Sequence, residues 1–285
     1  LLSRRQRQMC IRDSIDDAEL KETYAARQPY GEWLDRGLIR LKDLPVPNKK
    51  VPGYSQEELT RLEKAFGYTY EDVKNNSAVR TYIQRADESL TALGYTEHSF
   101  AHVTAVAENA AYILSTLGYP ERTVELAKIA GFLHDIGNLV NRVDHSQSGA
   151  VMAFRILDNM DCPPEEIATI VTAIGNHDEG TGMPVNAVAA ALILADKSDV
   201  RRSRVRNPDM ASFDIHDRVN YSVKKSVLKI NEEHTLIKLK LSVDTKYGSV
   251  MDYFEIFMGR MLLCRKAAEK LGLQFKLMIN EQQLI

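Results

Sequence analysis

Residues 131–138 read Gly-Phe-Leu-His-Asp-Ile-Gly-Asn, so that a histidine and an aspartate close an apolar helical run. Adjacent side chains on a helix are about 100° apart, close enough for an imidazole and a short carboxylate to turn toward one metal ion. Further candidate ligands lie on or beside separate helical segments: His102, His145, His177 and Asp196. Helical proteins build metal sites from facing helices. The pattern therefore predicts a buried metal cage.

Composition places the chain among ordinary globular proteins. Its 285 residues suffice for one large domain or two modest ones. The formal net charge of −2 argues against a general polyanion binder, so a nucleic-acid partner is not expected. Three cysteines without metal spacing indicate reduced thiols, and no apolar run approaches the roughly 20 residues of a membrane span. We expect a cytoplasmic protein; the sequence leaves open whether it forms a homo-oligomer.

The first 74 residues differ from the rest. Residues 1–14 lack hydrophobic periodicity and resemble translated sequencing adapter, an artefact to be set aside. The alternative is a natural basic arm that contacts nucleic acid or anionic lipid. Residues 15–73, through the stretches 28–34, 41–45 and 64–72, resemble a connecting segment of the glutamate synthase large subunit.

That resemblance has several explanations. In the glutamate synthase family the segment links two domains that this chain lacks and carries no catalytic residue. We therefore interpret residues 15–74 as part of a chimera, with short helices at most, and not as an independent domain. The alternatives are a true fusion or an adaptor segment that docks on a glutamate synthase partner.

Helical periodicity begins at about Asn75. Apolar residues at three- and four-residue spacing predict helices over about 75–93 and 99–117, the second followed by Gly118. Further helices are expected from Pro120 to His134, from Pro163 to about residue 175, and over 185–195, which is apolar enough to be buried. Residues 75–215 are thus predicted to form one helical domain.

Residues 216–285 change period. Alternating apolar residues predict strands over 227–230, 235–243 and 275–279, and a helix is expected over about 248–271. This pattern indicates a small antiparallel sheet covered by one helix, an α+β extension of the bundle.

The order His102, His134-Asp135, Asp196 resembles the signature of the HD-domain metal-dependent phosphohydrolases, here in the His-Asp-Ile-Gly form. This resemblance covers residues 75–215 well and implies an all-α HD bundle in which those four residues bind one ion. Residues 144–150 and 173–178 resemble segments of dinuclear members, which implies that His145 and His177 bind a second ion and that Asp135 bridges the two.

Ligand chemistry restricts the metal. Imidazole and carboxylate ligands without thiolate suit one or two divalent transition-metal ions, such as iron, manganese, zinc or cobalt. Each candidate histidine also has an ordinary structural interpretation, such as a helix cap for His177 or an exposed loop position for His145.

The resemblance implies hydrolysis of a phosphomonoester or phosphoanhydride, in a nucleotide-like small molecule, through a metal-activated hydroxide. Beside Asp135, we predict catalytic roles for Lys197 and His98. Substrate-binding roles are predicted for three arginines, whose alternative is a solvated, salt-bridged face: Arg142, Arg201 and Arg202. Many HDIG relatives have lysine where Asn138 stands, and Arg142 is a candidate to replace that charge. The competing function is a non-catalytic metal- and nucleotide-binding regulatory module.

Overall fold

The computed structural model describes residues 68–284, so the predictions for residues 1–67 lie outside the described part. The described residues form a helical bundle followed by a four-stranded sheet with two helices. The bundle helices are α1 Tyr70–Asn75, α2 Ser77–Ala92, α3 Phe100–Thr116, α4 Glu121–Leu133, α5 His145–Asp158, α6 Pro164–Gly175 and α7 Ala187–Ser198. The predicted all-α bundle with a small C-terminal α+β extension is confirmed.

Helix boundaries follow local sequence signals. Asn76, Ser99 and Asn186 each accept a hydrogen bond from a backbone N–H in the first turn of α2, α3 and α7. Gly94 and Gly118 follow α2 and α3 with φ of 81° and 76°, the left-handed conformation that glycine adopts without strain. The helices predicted from apolar periodicity therefore begin and end near the expected positions.

Helix α7 is the centre of the bundle. Every residue from Val188 to Ser198 is buried, and the helix packs against α3, α4 and α6. The prediction of a buried helix in this region is confirmed. Because α7 is enclosed, the polar residues of its last turn, Asp196 and Lys197, must find their partners inside the protein.

The packed bundle begins before the predicted boundary at residue 75. Tyr68, Tyr70 and Val73 are buried, and α1 packs against α4. The Tyr70 ring meets Phe132 edge to face at a centroid distance of 5.7 Å. Arg122 donates to the Tyr68 carbonyl oxygen at 2.9 Å and stacks on its ring. Three residues of the segment 68–74 are therefore part of the bundle core.

Helix α5 was missed by the sequence analysis. It begins at His145 and packs on a 3₁₀ turn at Ile136–Leu139. Its first residues, His-Ser-Gln-Ser-Gly-Ala, carry no apolar periodicity. The helix places His145 at a fixed position, which removes the interpretation of this residue as an exposed loop histidine.

The C-terminal extension contains α8 Ile215–Ser222, β1 Val223–Ile230, β2 Leu236–Val243, α9 Val250–Lys270, β3 Gln274–Ile279 and β4 Gln282–Gln283. Strands β1 and β2 form an antiparallel hairpin, but β2 and β3 pair in parallel. The prediction of a purely antiparallel sheet was therefore wrong. Helix α9 crosses between β2 and β3, and a helical crossover returns the chain in the same direction. Helix α9 also packs against α7.

Among residues 68–284, no helix combines the length and the apolar character needed to cross a membrane.

Candidate metal centre

The fold brings all six predicted ligand residues together. His102 lies in the first turn of α3, His134 directly follows α4, and His145 begins α5. His177 follows α6, and Asp196 lies in the last turn of α7. All are buried: His102, His134, Asp135, His145, His177 and Asp196. Two groups of donors could each hold a metal ion: His102, His134 and Asp196, and His134, Asp135 and His177.

Two glycines permit the close approach of these elements. A Cβ on Gly131 would lie 2.8 Å from the Ala107 Cα, so its absence lets α4 pack directly on α3, beside His102 and His134. A Cβ on Gly137 would lie 2.0 Å from the His145 carbonyl oxygen. The backbone therefore needs glycine at both positions to bring the histidines into one cluster.

Hydrogen bonds fix the orientation of the four imidazoles. The Nδ1 atoms of His134, His145 and His177 donate to carbonyl oxygens at 2.7, 3.1 and 2.6 Å, each belonging to the residue three positions earlier. His102 Nδ1 donates to Asp199 Oδ2 at 2.7 Å. Since carbonyl and carboxylate oxygens only accept, each Nδ1 carries a proton, and a ring without a second proton has its lone pair on Nε2.

The inward Nε2 atoms lack ordinary partners. Those of His102 and His134 are buried and make no hydrogen bond within the described residues. The Nε2 atoms of His145 and His177 face each other at 3.2 Å. Burial lowers the pKa of His145, and burial with neighbouring His134 lowers that of His177 to about 3, so both rings are neutral. Two lone pairs at this distance repel, and a bound cation removes that repulsion.

Donor spacing also fits shared ions. His102 Nε2 lies 3.5 Å from both Asp135 Oδ2 and Asp196 Oδ1, and His134 Nε2 lies 3.3 and 3.7 Å from the same two oxygens. Most of these contacts are long for hydrogen bonds. Two donors bound at about 2.1 Å to one ion stand about 3.0–3.4 Å apart. The residues therefore fit a divalent metal ion.

Asp135 presents one oxygen to each half of the cluster. Its Oδ2 faces His102 and His134, and its Oδ1 lies 3.4 Å from His145 Nε2. Asn138 donates to Oδ1 at 3.0 Å and so helps fix the carboxylate. This arrangement is the one expected of a carboxylate between two ions.

The electrostatic field of the site favours a cation. Burial would raise the pKa of Asp135, but His134 and His102 hold it well below its usual range. Burial and Arg204 lower the pKa of His102, yet Asp135, Asp196 and Asp199 outweigh them and raise it to about 9. The carboxylates that would retain a proton on His102 equally attract a metal ion, which competes for the same Nε2.

Asp199 connects His102 to two arginines. Beyond its bond to His102, its Oδ1 accepts from Arg201 Nε at 2.9 Å, and Arg201 also pairs with Glu97. Arg204 donates to the Asp199 carbonyl oxygen at 2.7 Å. These contacts hold the Asp199 carboxylate in the position that orients His102.

Lys197 lies in a buried ion-pair chain. Its Nζ contacts Asp196 Oδ2 at 2.7 Å and Glu179 Oε2 at 3.2 Å, and Arg260 Nε donates to Glu179 Oε1 at 2.6 Å. Lys197 thus occupies one oxygen of Asp196 and leaves Oδ1 facing the histidines. Its predicted catalytic role remains a prediction; the contacts show a residue that positions Asp196.

The predicted catalytic residue His98 and the three predicted substrate-binding arginines separate into two groups. Arg142 Nη1 lies 4.0 Å from Asp135 Oδ1, and the His98 ring meets His102 edge to face at a centroid distance of 5.5 Å. Arg202 instead donates to the Tyr221 carbonyl oxygen and stacks on the Tyr221 ring. Arg201 forms ion pairs with Asp199 and Glu97. The structure brings Arg142 and His98 to the cluster, and does not bring Arg202 to it.

Sequence reasoning missed Glu179 and Arg260. Glu179 stands two residues after His177, so its proximity could have been suspected. Arg260 lies on α9, 81 residues later, and nothing in its local sequence distinguishes it from a surface arginine. Only the packing of α9 against α7 places it beside the site.

Two known proteins are similar to a large part of this chain. An uncharacterised protein of Methanocaldococcus jannaschii is 26% identical over an alignment of 200 residues, and the match covers 62% of this chain and 77% of that protein. A solved structure described as a predicted HD superfamily hydrolase, from an uncultured Thermotogales bacterium, is 25% identical with a TM-score of 0.37 and covers 50% of this chain and 74% of that one.

A third similarity is short. The large chain of glutamate synthase (NADPH) from Bacillus subtilis is 40% identical over 60 residues, 21% of this chain and 4% of that protein. Such a small share carries nothing of that enzyme's activity to this chain, and the assignment of the similarity to residues 15–73 stays a prediction.

The family model described as the HD domain matches residues 99–201, which contain every residue of the metal cluster. Residues 99–201 of this chain therefore form an HD domain.

Proposed function

We propose that the protein is a metal-dependent phosphohydrolase that cleaves a phosphomonoester or phosphoanhydride of a nucleotide-like small molecule. The observation that carries the proposal is the inward orientation of four buried histidine Nε2 atoms around Asp135, within an HD domain. Four buried imidazole Nε2 atoms aimed at one carboxylate have little structural purpose without a cation.

The described residues have distinct roles in this proposal. His102, His134, Asp135 and Asp196 would hold one divalent ion, and Asp135, His145 and His177 a second. Bound metal would make a water molecule acidic enough to serve as nucleophile near neutral pH and would offset charge on the phosphoryl oxygens. Asp199, Asn138 and the backbone carbonyls at the Nδ1 atoms orient the ligands.

Arg142 is the cation best placed to bind the phosphoryl group. It is partly exposed, and its side-chain polar contacts within the described residues are with neutral Asn138 at 3.2 Å and with Asp135 at 4.0 Å. An arginine fork that no carboxylate fully occupies can bind phosphate oxygens. Asparagine at position 138 is compatible with this role, because Asn138 accepts a hydrogen bond from Arg142 and donates one to Asp135.

The test combines metal content with turnover in the full-length protein. Protein loaded in turn with manganese, iron, cobalt or zinc is assayed for phosphate release from a panel of phosphomonoesters and phosphoanhydrides. We expect His177→Ala to lower both the bound metal and the turnover, the latter by at least about 100-fold. His234→Ala, which removes an exposed hairpin histidine, is the matched control and should change neither.

The outcome separates the two candidate functions. Wild-type protein that binds metal and a nucleotide tightly yet releases no phosphate would refute the hydrolase and support the regulatory module. Equal metal content in His177→Ala and wild type would refute the role of His177 as a metal ligand.

A further inference from the structure

A cavity of about 350 Å³ lies between the HD domain and the C-terminal extension. On one side it is lined by His98, Arg142 and Arg204. Since Arg142 approaches Asp135 and the His98 ring packs on His102, this side adjoins the metal cluster. A ligand in the cavity can therefore present one end to the proposed reaction centre.

The opposite side of the cavity comes from the extension. Helix α8 contributes His216, Asp217 and Asn220, and α9 contributes Phe257 and Arg260. The volume is at the lower end of the range for small-molecule sites. A phosphorylated compound whose reacting group meets Arg142 must therefore place its remaining atoms against α8 and α9.

Helix α8 offers hydrogen-bonding groups that the protein itself leaves unused. Asn220 is buried, and its Nδ2 donates to the His216 carbonyl oxygen at 2.9 Å, but its Oδ1 accepts no hydrogen bond from residues 68–284. The His216 ring, on the same helix, makes no hydrogen bond with any of those residues. An amide oxygen that lines a cavity and has no partner in the protein can accept a hydrogen bond from a ligand.

The other charged groups at the cavity are largely committed. Arg204 donates to the backbone oxygens of Glu97 and Asp199, and Arg260 pairs with Glu179. Asp217 Oδ2 accepts from Asn207 at 3.3 Å. Asn220 and His216 thus offer the cavity hydrogen-bonding capacity that is not held by an ion pair.

We propose that the C-terminal extension forms the specificity half of the substrate site, in which Asn220 and His216 bind hydroxyl groups on the organic part of a phosphate ester. This inference rests on the proposed function, which identifies the reacting group as a phosphate. It concerns the residues that determine substrate specificity. Sugar phosphates and nucleoside monophosphates share the required chemistry, a phosphate joined to a polyhydroxylated ring.

The experiment uses the full-length protein and three probes: ribose 5-phosphate, adenosine monophosphate and p-nitrophenyl phosphate, whose aryl group has no hydroxyl. Calorimetry measures binding of each probe, and phosphate release measures turnover. We expect Asn220→Ala to weaken binding of at least one hydroxylated probe by about 5- to 50-fold and His216→Ala by about 3- to 10-fold, with p-nitrophenyl phosphate changed less than about twofold.

Controls separate recognition from folding. His216 is exposed and holds no side-chain hydrogen bond within the described residues, so His216→Ala should fold normally even if Asn220→Ala does not. His234→Ala removes a histidine far along the chain in the β1–β2 hairpin and should leave all three affinities unchanged. Tighter binding of ribose 5-phosphate or of adenosine monophosphate by the wild type identifies whether a sugar phosphate or a nucleoside monophosphate fits the cavity better.

The outcomes are distinct from those of the proposed function. Selective weakening of hydroxylated probes supports the inference even if no phosphate is released, in which case the hydrolase proposal fails alone. Equal weakening of all three probes, unchanged affinities in both variants, or no binding of a hydroxylated probe by wild type would each overturn the inference.

Discussion

Substitution of Gly137 by alanine should disturb one half of the metal cluster selectively. A Cβ at this position would lie 2.0 Å from the His145 carbonyl oxygen, 2.4 Å from the Gly149 nitrogen and 2.6 Å from the Ser148 Oγ. Cβ atoms essentially never approach other atoms within 3.0 Å, so the first turn of α5 and the 3₁₀ turn that contains Gly137 must separate by about 1 Å, the difference between 3.0 and 2.0 Å. Two of the three obstructing atoms are backbone, which a side-chain rotation cannot relieve.

That displacement is large on the scale of the donor spacing. His145 Nε2 lies 3.4 Å from Asp135 Oδ1 and 3.2 Å from His177 Nε2, close to the roughly 3.0–3.4 Å expected for donors on one ion. A shift of about 1 Å removes His145 from that range. His102 and Asp196 lie on α3 and α7, and nothing in the clash requires those helices to move.

We therefore expect Gly137→Ala to retain metal at the His102–His134–Asp196 group and to lose it at the Asp135–His145–His177 side. Overpacking of this kind costs about 1–3 kcal/mol, and the backbone obstruction places the variant at the upper end. Metal content is measured by plasma mass spectrometry, and the free energy of unfolding by denaturant titration.

Gly175→Ala is the matched control, because a Cβ there would make only ordinary contacts, 3.6 Å from the Ala150 Cβ and 3.8 Å from the Gln147 Oε1. It also lies close to a ligand, two residues before His177, so it tests whether any added methyl group near the cluster has the same effect. Gly137→Ala with the metal content of wild type and a change in unfolding free energy below about 0.5 kcal/mol would refute the reasoning.

Three further results are expected. Tyr70→Ala in the full-length chain should lower the free energy of unfolding by about 3–5 kcal/mol in denaturant titration, because Tyr70 is 5% exposed; a change below 1 kcal/mol would place it outside the core. Burial raises the pKa of Cys162 and of Cys264 to about 12, so alkylation followed by peptide mass spectrometry should find both slow in native protein and fast in denaturant, and rapid native labelling would contradict their burial. Hydrogen bonds from Arg122 lower the pKa of Glu166, so Glu166→Gln should cost about 1 kcal/mol at pH 7, a difference that shrinks as the pH falls below about 4.3; a difference independent of pH would refute the ion pair.

Much of the bundle could be predicted because its helices carry apolar residues at helical spacing and end at glycine or proline. The candidate ligands could be found because each lies at or near a helix end, where a short polar side chain interrupts an apolar run. His134-Asp135 after α4 and Asp196 at the end of α7 are the clearest cases. A buried polar group in such a position needs a partner, and the sequence supplies several.

Helix α5 escaped prediction for a physical reason. Its first turn packs backbone against backbone at Gly137 and Gly149, so small residues occupy the positions where apolar periodicity would otherwise show.

The direction of β3, in contrast, could have been inferred. A hairpin loop joins β1 to β2, whereas a 21-residue helix joins β2 to β3, and such a crossover connects parallel strands.

The arginine run after Asp199 shows what residue spacing alone does not predict. Spacing alone did not distinguish Arg202 from Arg204, two residues apart. A 3₁₀ turn at Arg202–Arg204 directs Arg204 to the Asp199 carbonyl oxygen and to the cavity, and Arg202 to Tyr221. Which of the two arginines faces the cavity depends on α8 and on the Tyr221 ring, which belong to the following segment of the chain.

These contacts make the C-terminal extension a component of the candidate site. Arg260 of α9 pairs with Glu179, Glu179 pairs with Lys197, and Lys197 pairs with Asp196. Three successive ion pairs therefore connect the extension to a predicted metal ligand. Without α9, Glu179 would lose its closest cation and the buried face of α7 would lose part of its cover. A half-paired charge next to Asp196 would be costly in so buried a setting. The HD domain of this chain is therefore expected to bind metal normally only when the extension is present.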